Sequence, residues 1–349
     1  VLKNNTRHIL VIRLSAMGDV AMTVPVLSAL VHQYPNLRIT VLTRTFFAPM
    51  FAALPNVKVH EADFKGKHKG FLGLWRLSGE LKGKGIDVVA DLHNVLRTQI
   101  LKQFFFFGGI PFYQIDKGRK EKKALTREKN KVFLPLKTTH ERYADVFARL
   151  GFSLDLSNSI PLHKEKLSNK TIELIDPKTR KWLGIAPFAA FSGKQYPLDS
   201  MEDVICQTLK TDRYKIMLFG GGQKEIQFLD TWASTFDQCI NVAGELSFKD
   251  ELALISNLDV MLSMDSGNGH LAAMYGIPVI TLWGITHPYA GFAPFGQDAR
   301  NALLSNRDEY PFIPTSVYGN KCPNGYQDVM RTIPAKMVVK KIESVCFKK

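Results

Sequence analysis

At 349 residues the chain is long enough for two domains of ordinary size. Its 45% apolar and 22% charged composition excludes global disorder, and no run approaches the ~18–20 apolar residues of a membrane span. The net charge of +14 favours phosphorylated or otherwise anionic partners, although a lysine-rich solvated surface gives the same number.

The apolar run at 8–13 predicts a strand, too short for a signal-peptide core, and the spacing of Val20, Val24, Leu27 and Val31 predicts a helix over 18–34. Pro25 either kinks that helix or marks where its regular part begins. Strands follow at 37–43, 57–60 and 86–90, then a helix at 140–150 closed by Gly151. The stretch 153–180, with Pro161 and Pro177, reads as a connection. From Lys181 the pattern restarts. Strands at 182–186, 215–219, 239–242, 260–264 and 278–283 alternate with helices at 201–210, 224–236, 249–257 and 269–275. An amphipathic helix occupies 335–345. This alternation is the signature of an α/β protein with doubly wound parallel sheets. The expected division is 1–165, 166–333 and a terminal segment, 334–349.

Candidate chemistry falls at strand ends, where open α/β sheets bind ligands. Asp19 follows the first strand in Leu14-Ser15-Ala16-Met17-Gly18-Asp19; it faces a ligand there or merely complements a helix dipole. Asp265-Ser266-Gly267-Asn268-Gly269-His270 joins a strand to a helix, and its free N–H groups suit a phosphate. The run also fits the dinucleotide pattern G-x-G-x-x-A, but no acid lies between Ala272 and Asp298 to take a ribose, which argues against NAD. Lys194, in Gly193-Lys194-Gln195-Tyr196-Pro197, offers an ammonium near the same place, or is an ordinary surface lysine. Glu225, one turn beyond Gly220-Gly221-Gly222, can receive ribose hydroxyls or complement its helix. His270 either orients the phosphate loop or is a satisfied core histidine. Metal-binding motifs are absent, and Cys206, Cys239, Cys322 and Cys346 form no Cys-x-x-Cys pair, which suits a reducing cytosol.

The charge is uneven along the chain: 26 Lys/Arg against 13 Asp/Glu through Glu165, then 20 against 19. Eight of the basic residues crowd into 117–131, flanked by Arg97. That cluster is an exposed charged loop or a surface for an anionic partner.

Ile9 through Val20, the Lys194-x-Tyr196-Pro197 turn, Val242-Ala243-Gly244-Glu245-Leu246-Ser247, and Asp265-Ser266-Gly267 with His270 occur in an order that resembles the ADP-heptose:lipopolysaccharide heptosyltransferases, glycosyltransferase family 9. Ser266 stands where the family usually has Thr, and Tyr196 where it has Trp. The resemblance implies a GT-B fold: two Rossmann-like domains facing a cleft, acceptor on the first, nucleotide sugar on the second, and a terminal helix returning to the first. It implies inverting, metal-independent transfer of heptose from ADP-heptose to a phosphorylated lipopolysaccharide core, with no cofactor. Another nucleotide sugar is the alternative donor. Asp19 would be the general base. Lys194 and the N–H groups of Ser266 and Gly267 would hold the diphosphate, with Asp265 and His270 shaping that loop and Glu225 on the ribose. Lys117, Arg119, Lys120, Lys122 and Lys123, taken as exposed, and Arg97 would attract the acceptor or the anionic cytoplasmic face of the membrane, where the enzyme would be peripheral. A nucleotide-dependent oxidoreductase and a nucleic-acid binder are the rivals from other classes; the chain lacks RNA-binding and zinc-finger patterns, so no nucleic acid is expected.

Overall fold

Apolar strands flanked by helices on both sides pair in parallel, and the computed structural model contains two such sheets. It describes residues 8–175 and 180–347, so Pro177 and the extreme ends of the expected division lie outside the described residues.

The chain divides into two compact units. The first runs to Lys117 and adds Thr139–Leu162. It contains β1 (His8–Ile12), α1 (Met17–Ala21), α2 (Thr23–Gln33), β2 (Arg38–Thr43), β3 (Val57–Glu61), α3 (Gly70–Lys82), β4 (Val88–Asp91), α4 (Leu96–Phe106) and β5 (Phe112–Gln114). The segment Gly118–Thr138, which holds α5 (Arg119–Thr126), belongs to the second unit, and α6 (Thr139–Arg149) returns to the first. The first sheet has the order β3-β2-β1-β4-β5, with Ile9 of β1 set between Ile39 and Val88. Every residue of β1 and β4 is buried. On one face Leu10, Ile12 and Val89 meet Leu77 and Leu81 of α3 and Phe105 of α4. The helix expected over 18–34 is broken at Met22, and Pro25 falls in the first turn of α2, where its missing N–H has no partner to lose. From Thr23 to Val31 α2 is buried, because α6 and the segment after it cover its outer face; Ser28 Oγ donates to Ile160 O at 2.7 Å.

The second unit continues from His163 with α7 (Asn169–Ile175), β6 (Lys181–Ala186), α8 (Leu198–Leu209), β7 (Tyr214–Leu218), α9 (Gln223–Thr235), β8 (Cys239–Asn241), α10 (Phe248–Ile255), β9 (Val260–Met264), α11 (Gly267–Met274), β10 (Val279–Trp283), β11 (Ala302–Leu304) and α12 (Ala335–Cys346). Its sheet order is β11-β10-β9-β6-β7-β8, parallel throughout. In both sheets the first strand of the unit lies at the centre and the winding reverses beside it, between β1 and β4 and between β6 and β9.

The terminal helix departs from the expectation. Instead of joining the first unit, α12 packs on α8 and β9, with Val338 and Ile342 buried beside Met201, Val204 and Ile205. Its apolar stripe completes the second unit's core, which fixes where it docks. Replacing the fully buried Ile342 by alanine is expected to cost about 2–5 kcal/mol in a denaturant titration. The exposed Met337 on the same helix should change stability by no more than about 0.5 kcal/mol when cut to alanine.

Candidate active site

The side chains that emerge at the carboxyl ends of β1 and β4 form the first constellation. Asp19 sits in the first turn of α1, partly exposed. Its carboxylate accepts from Arg13 at 2.7 Å and from the Ala16 N–H at 3.3 Å, which fixes the oxygens to the β1 turn. Arg13 is itself buried, donates to Leu92 O at 2.7 Å, and lies beside the Tyr143 ring. Burial works against the guanidinium charge, but Tyr143, Asp19 and Asp91 outweigh it and raise the Arg13 pKa. Tyr143 donates its hydroxyl to Asp19 O at 3.2 Å, so α6 clamps the turn from behind.

On the β4 side, Asp91 is consumed by structure: it accepts from the N–H groups of His93 and Asn94 and from Gln114. His93 is buried, and its Nδ1 has no hydrogen-bond partner. Burial, together with the charges of Arg13, Lys117, Arg44 and Arg97, pushes His93 down to about 3, so the ring is neutral at physiological pH. Arg13, Arg44, Arg97 and Lys117 follow β1, β2, β4 and β5, one cation from each strand end. Arg97 also stacks on Phe64 at 4.2 Å. Sequence reasoning missed Arg44 and His93; a basic residue after each of several strands was the available signal.

The second constellation lies at the corresponding place of the other sheet. Lys194 ends a short turn after β6, and Asp265 follows β9. The two pair at 3.0 Å, both nearly buried, and Thr286 donates to the same carboxylate oxygen at 3.0 Å. The lysine stem lies on Gly319, where φ is +83° and a Cβ would fall 2.1 Å from Lys194 Cδ; only glycine fits that cradle. Ser266 precedes α11 in extended conformation, and its hydroxyl does not cap the helix, which leaves the first N–H groups for an anion. Gly269 lets α11 settle on the sheet, since a Cβ there would meet Ser263 Oγ at 2.6 Å. His270 is buried within α11.

Two positions in this region have structural work. Glu225 accepts from the Gly221 N–H at 2.8 Å, closing its own glycine turn. Tyr196 is fully buried and donates to Ile333 O at 2.7 Å, and burial pushes its hydroxyl up to about 12. It is a core residue that ties the turn after β6 to the segment before α12.

The basic segment corrects the sequence expectation. It is not one exposed loop: α5 runs through it, and Lys122 is buried with its ammonium 4.1 Å from the Phe292 ring centre. Lys131 donates to the carbonyls of Leu125, Phe312 and Pro314. Arg119, Lys120 and Lys123 are exposed. Because Gly118–Thr138 packs with the second unit, the first holds 17 Lys/Arg against 10 Asp/Glu and the second 29 against 22. The asymmetry along the chain therefore disappears between the folded units. Lys117 and Arg97 stay in the first unit, while Arg119 and Lys120 belong to the second.

Residues 74–318 match the model of glycosyltransferase family 9 (heptosyltransferase). The chain is 25% identical to the lipopolysaccharide core heptosyltransferase OpsX of Haemophilus influenzae over 81% of its length and 80% of that protein. It superposes on a glycosyltransferase family 9 structure from Veillonella parvula with a TM-score of 0.76 at 20% identity, covering 100% of this chain and 99% of that one. With the E. coli heptosyltransferase WaaC, solved with ADP-2-deoxy-2-fluoro heptose, the TM-score is 0.65 at 18% identity over 97% and 99% of the two chains. Two Rossmann-like sheets with these neighbours define the GT-B fold. A family match across most of the chain, on that fold, makes this protein a member of glycosyltransferase family 9, the heptosyltransferases.

Proposed function

We propose that the protein transfers a heptose from ADP-heptose to an inner-core sugar of lipopolysaccharide, inverting the anomeric carbon without a metal ion. The observation that carries this reading is Asp19, a partly exposed carboxylate whose oxygens are oriented by Arg13 and a backbone N–H. The similarity to OpsX supports the acceptor class, and the sugar nucleotide named for the WaaC structure supports the donor.

Asp19 takes the proton of the acceptor hydroxyl as its oxygen attacks the anomeric carbon. The bond to the diphosphate breaks through an oxocarbenium-like state, and ADP leaves. Lys194 and the N–H groups of Ser266 and Gly267 meet the charge that develops on the diphosphate, the task a divalent ion performs in enzymes with Asp-x-Asp motifs. Asp265 holds the Lys194 ammonium at the start of α11, and His270 stiffens the same loop. Glu225, one oxygen of which accepts from the Gly221 N–H, receives a ribose hydroxyl on the other. Arg97 and Lys117, with Arg44 and the neutral, unpartnered His93, supply the cations and the ring nitrogen for the acidic groups of the acceptor. Arg119 and Lys120 add attraction from α5. The acceptor is lipid-borne, so the enzyme works as a peripheral protein at the cytoplasmic membrane face; no helix among the described residues is long and apolar enough to cross a membrane.

Asp19→Asn should lower kcat by about 10²–10⁴ while ADP-heptose affinity holds, measured as ADP release with a truncated core acceptor. A variant that keeps most of its turnover would remove Asp19 from the role of base. Lys194→Ala should cost about 10²–10³ in kcat. Gly319→Ala, which crowds the lysine stem, should move kcat the same way by less. Turnover should persist in EDTA; loss that magnesium restores would overturn the metal-free step.

A further inference from the structure

The first half of helix α3 is apolar on both sides. Leu74, Leu77 and Leu81 enter the core, as a helix on a sheet requires, but Phe71, Leu72 and Trp75 point outward. Leu72 is 77% exposed and Trp75 62%. An outward apolar helix face is normally enclosed by protein or lipid. The patch extends to α4: Phe71 meets Phe104 edge to face at 5.2 Å, Lys82 lies against Gly108, and Phe106 and the 83%-exposed Phe107 end that helix. Contiguous exposed aromatics on this scale mark an interaction surface.

The surrounding charge selects the partner. Between Lys65 and Lys84 there are six Lys/Arg and one acid, Glu80. Glu80 is already engaged, by Lys67 at 2.8 Å and by His60 and His68 at 3.3 Å. The nearby Asp63 is occupied by the N–H groups of Lys65, Gly66 and Lys67. From Glu61 to Lys84 six Lys/Arg outnumber three acids, and Lys65, Lys69, Arg76 and Lys84 leave a net positive charge around an aromatic face. A second copy of the chain would bring like charges together. An anionic bilayer satisfies both features, taking the aromatic side chains into the interface and the cations at its headgroups.

We infer that the α3–α4 face docks the protein on an anionic phospholipid surface, with Trp75 entering the interface. The inference rests on the reading above of a lipid-borne acceptor, and it locates the contact on α3 and α4 rather than on the basic segment of 117–131. Trp75 provides the test, because the other three tryptophans, Trp182, Trp232 and Trp283, are at most 3% exposed.

With vesicles of phosphatidylcholine and phosphatidylglycerol, tryptophan emission should shift to the blue and resist acrylamide, and high salt or phosphatidylcholine alone should abolish the change. Trp75→Phe should still sediment with the vesicles but show no shift. Leu72→Asp with Phe107→Asp should weaken sedimentation by roughly tenfold or more, as expected when two apolar side chains lose their burial. Thermal stabilisation by ADP should be retained in that variant, showing that it is folded. Sedimentation without a Trp75 response, or undiminished binding by the double variant, would overturn the inference. So would a blue shift that follows protein concentration in the absence of lipid, the sign of self-association. Transfer to a lipid-free core oligosaccharide separates the two readings. Transfer without vesicle binding sinks the docking surface alone, and vesicle binding without transfer sinks the proposed reaction alone.

Discussion

A parallel strand buried on both faces leaves its polar neighbours one outlet, the carboxyl edge of the sheet, and the chemistry of this protein depends on that constraint. Both sheets reverse their winding beside a central strand, so the loops after β1 and β4, and after β6 and β9, diverge and leave room for ligand. Asp19, Arg13 and His93 occupy the first such place, Lys194 and Asp265 the second. The ion pair of Lys194 and Asp265 is nearly buried and tolerable because Thr286 adds a donor and Gly319 makes space for the stem. Removing either partner from such a pair strands a buried charge, at a cost of about 3–5 kcal/mol. The residue that would stabilise a leaving diphosphate is therefore also one the second unit needs for its own integrity.

Charge illustrates how sequence order and spatial order part company. The excess of Lys and Arg in the first half suggests one basic domain, yet Gly118–Thr138, with eight Lys/Arg against two acids, folds with the second unit. Lys122 and Lys131 then serve packing, on Phe292 and on three carbonyl groups. The cations near His93 in the first unit do not form a run. They come one at a time from the ends of β1, β2, β4 and β5, and only the sheet collects them around His93. A focused positive site can thus draw most of its charge from outside any local cluster in the sequence.

Four helices, α3, α4, α5 and α7, escaped sequence reading, and the first two are informative. α3 and α4 carry apolar residues on their outer as well as their inner faces, so the periodic contrast that reveals an amphipathic helix is blurred. The feature that hides them in the sequence is the one that makes their surface unusual once folded.

The amino-acid sequence by itself determined the α/β class, the central strands, the family resemblance, and the placing of Asp19 and Asp265 at strand ends. Strong local signals sufficed there: apolar runs, glycine-rich turns and helical spacing act over a few residues. Tertiary structure alone decided that α12 joins the second unit, that Gly118–Thr138 crosses to it and that Tyr196 is core. It alone brought Arg44 and His93 to Asp19's unit and Gly319 under Lys194. Each of these rests on contacts between residues far apart in the chain, set by which apolar faces find one another, and no local pattern records that choice.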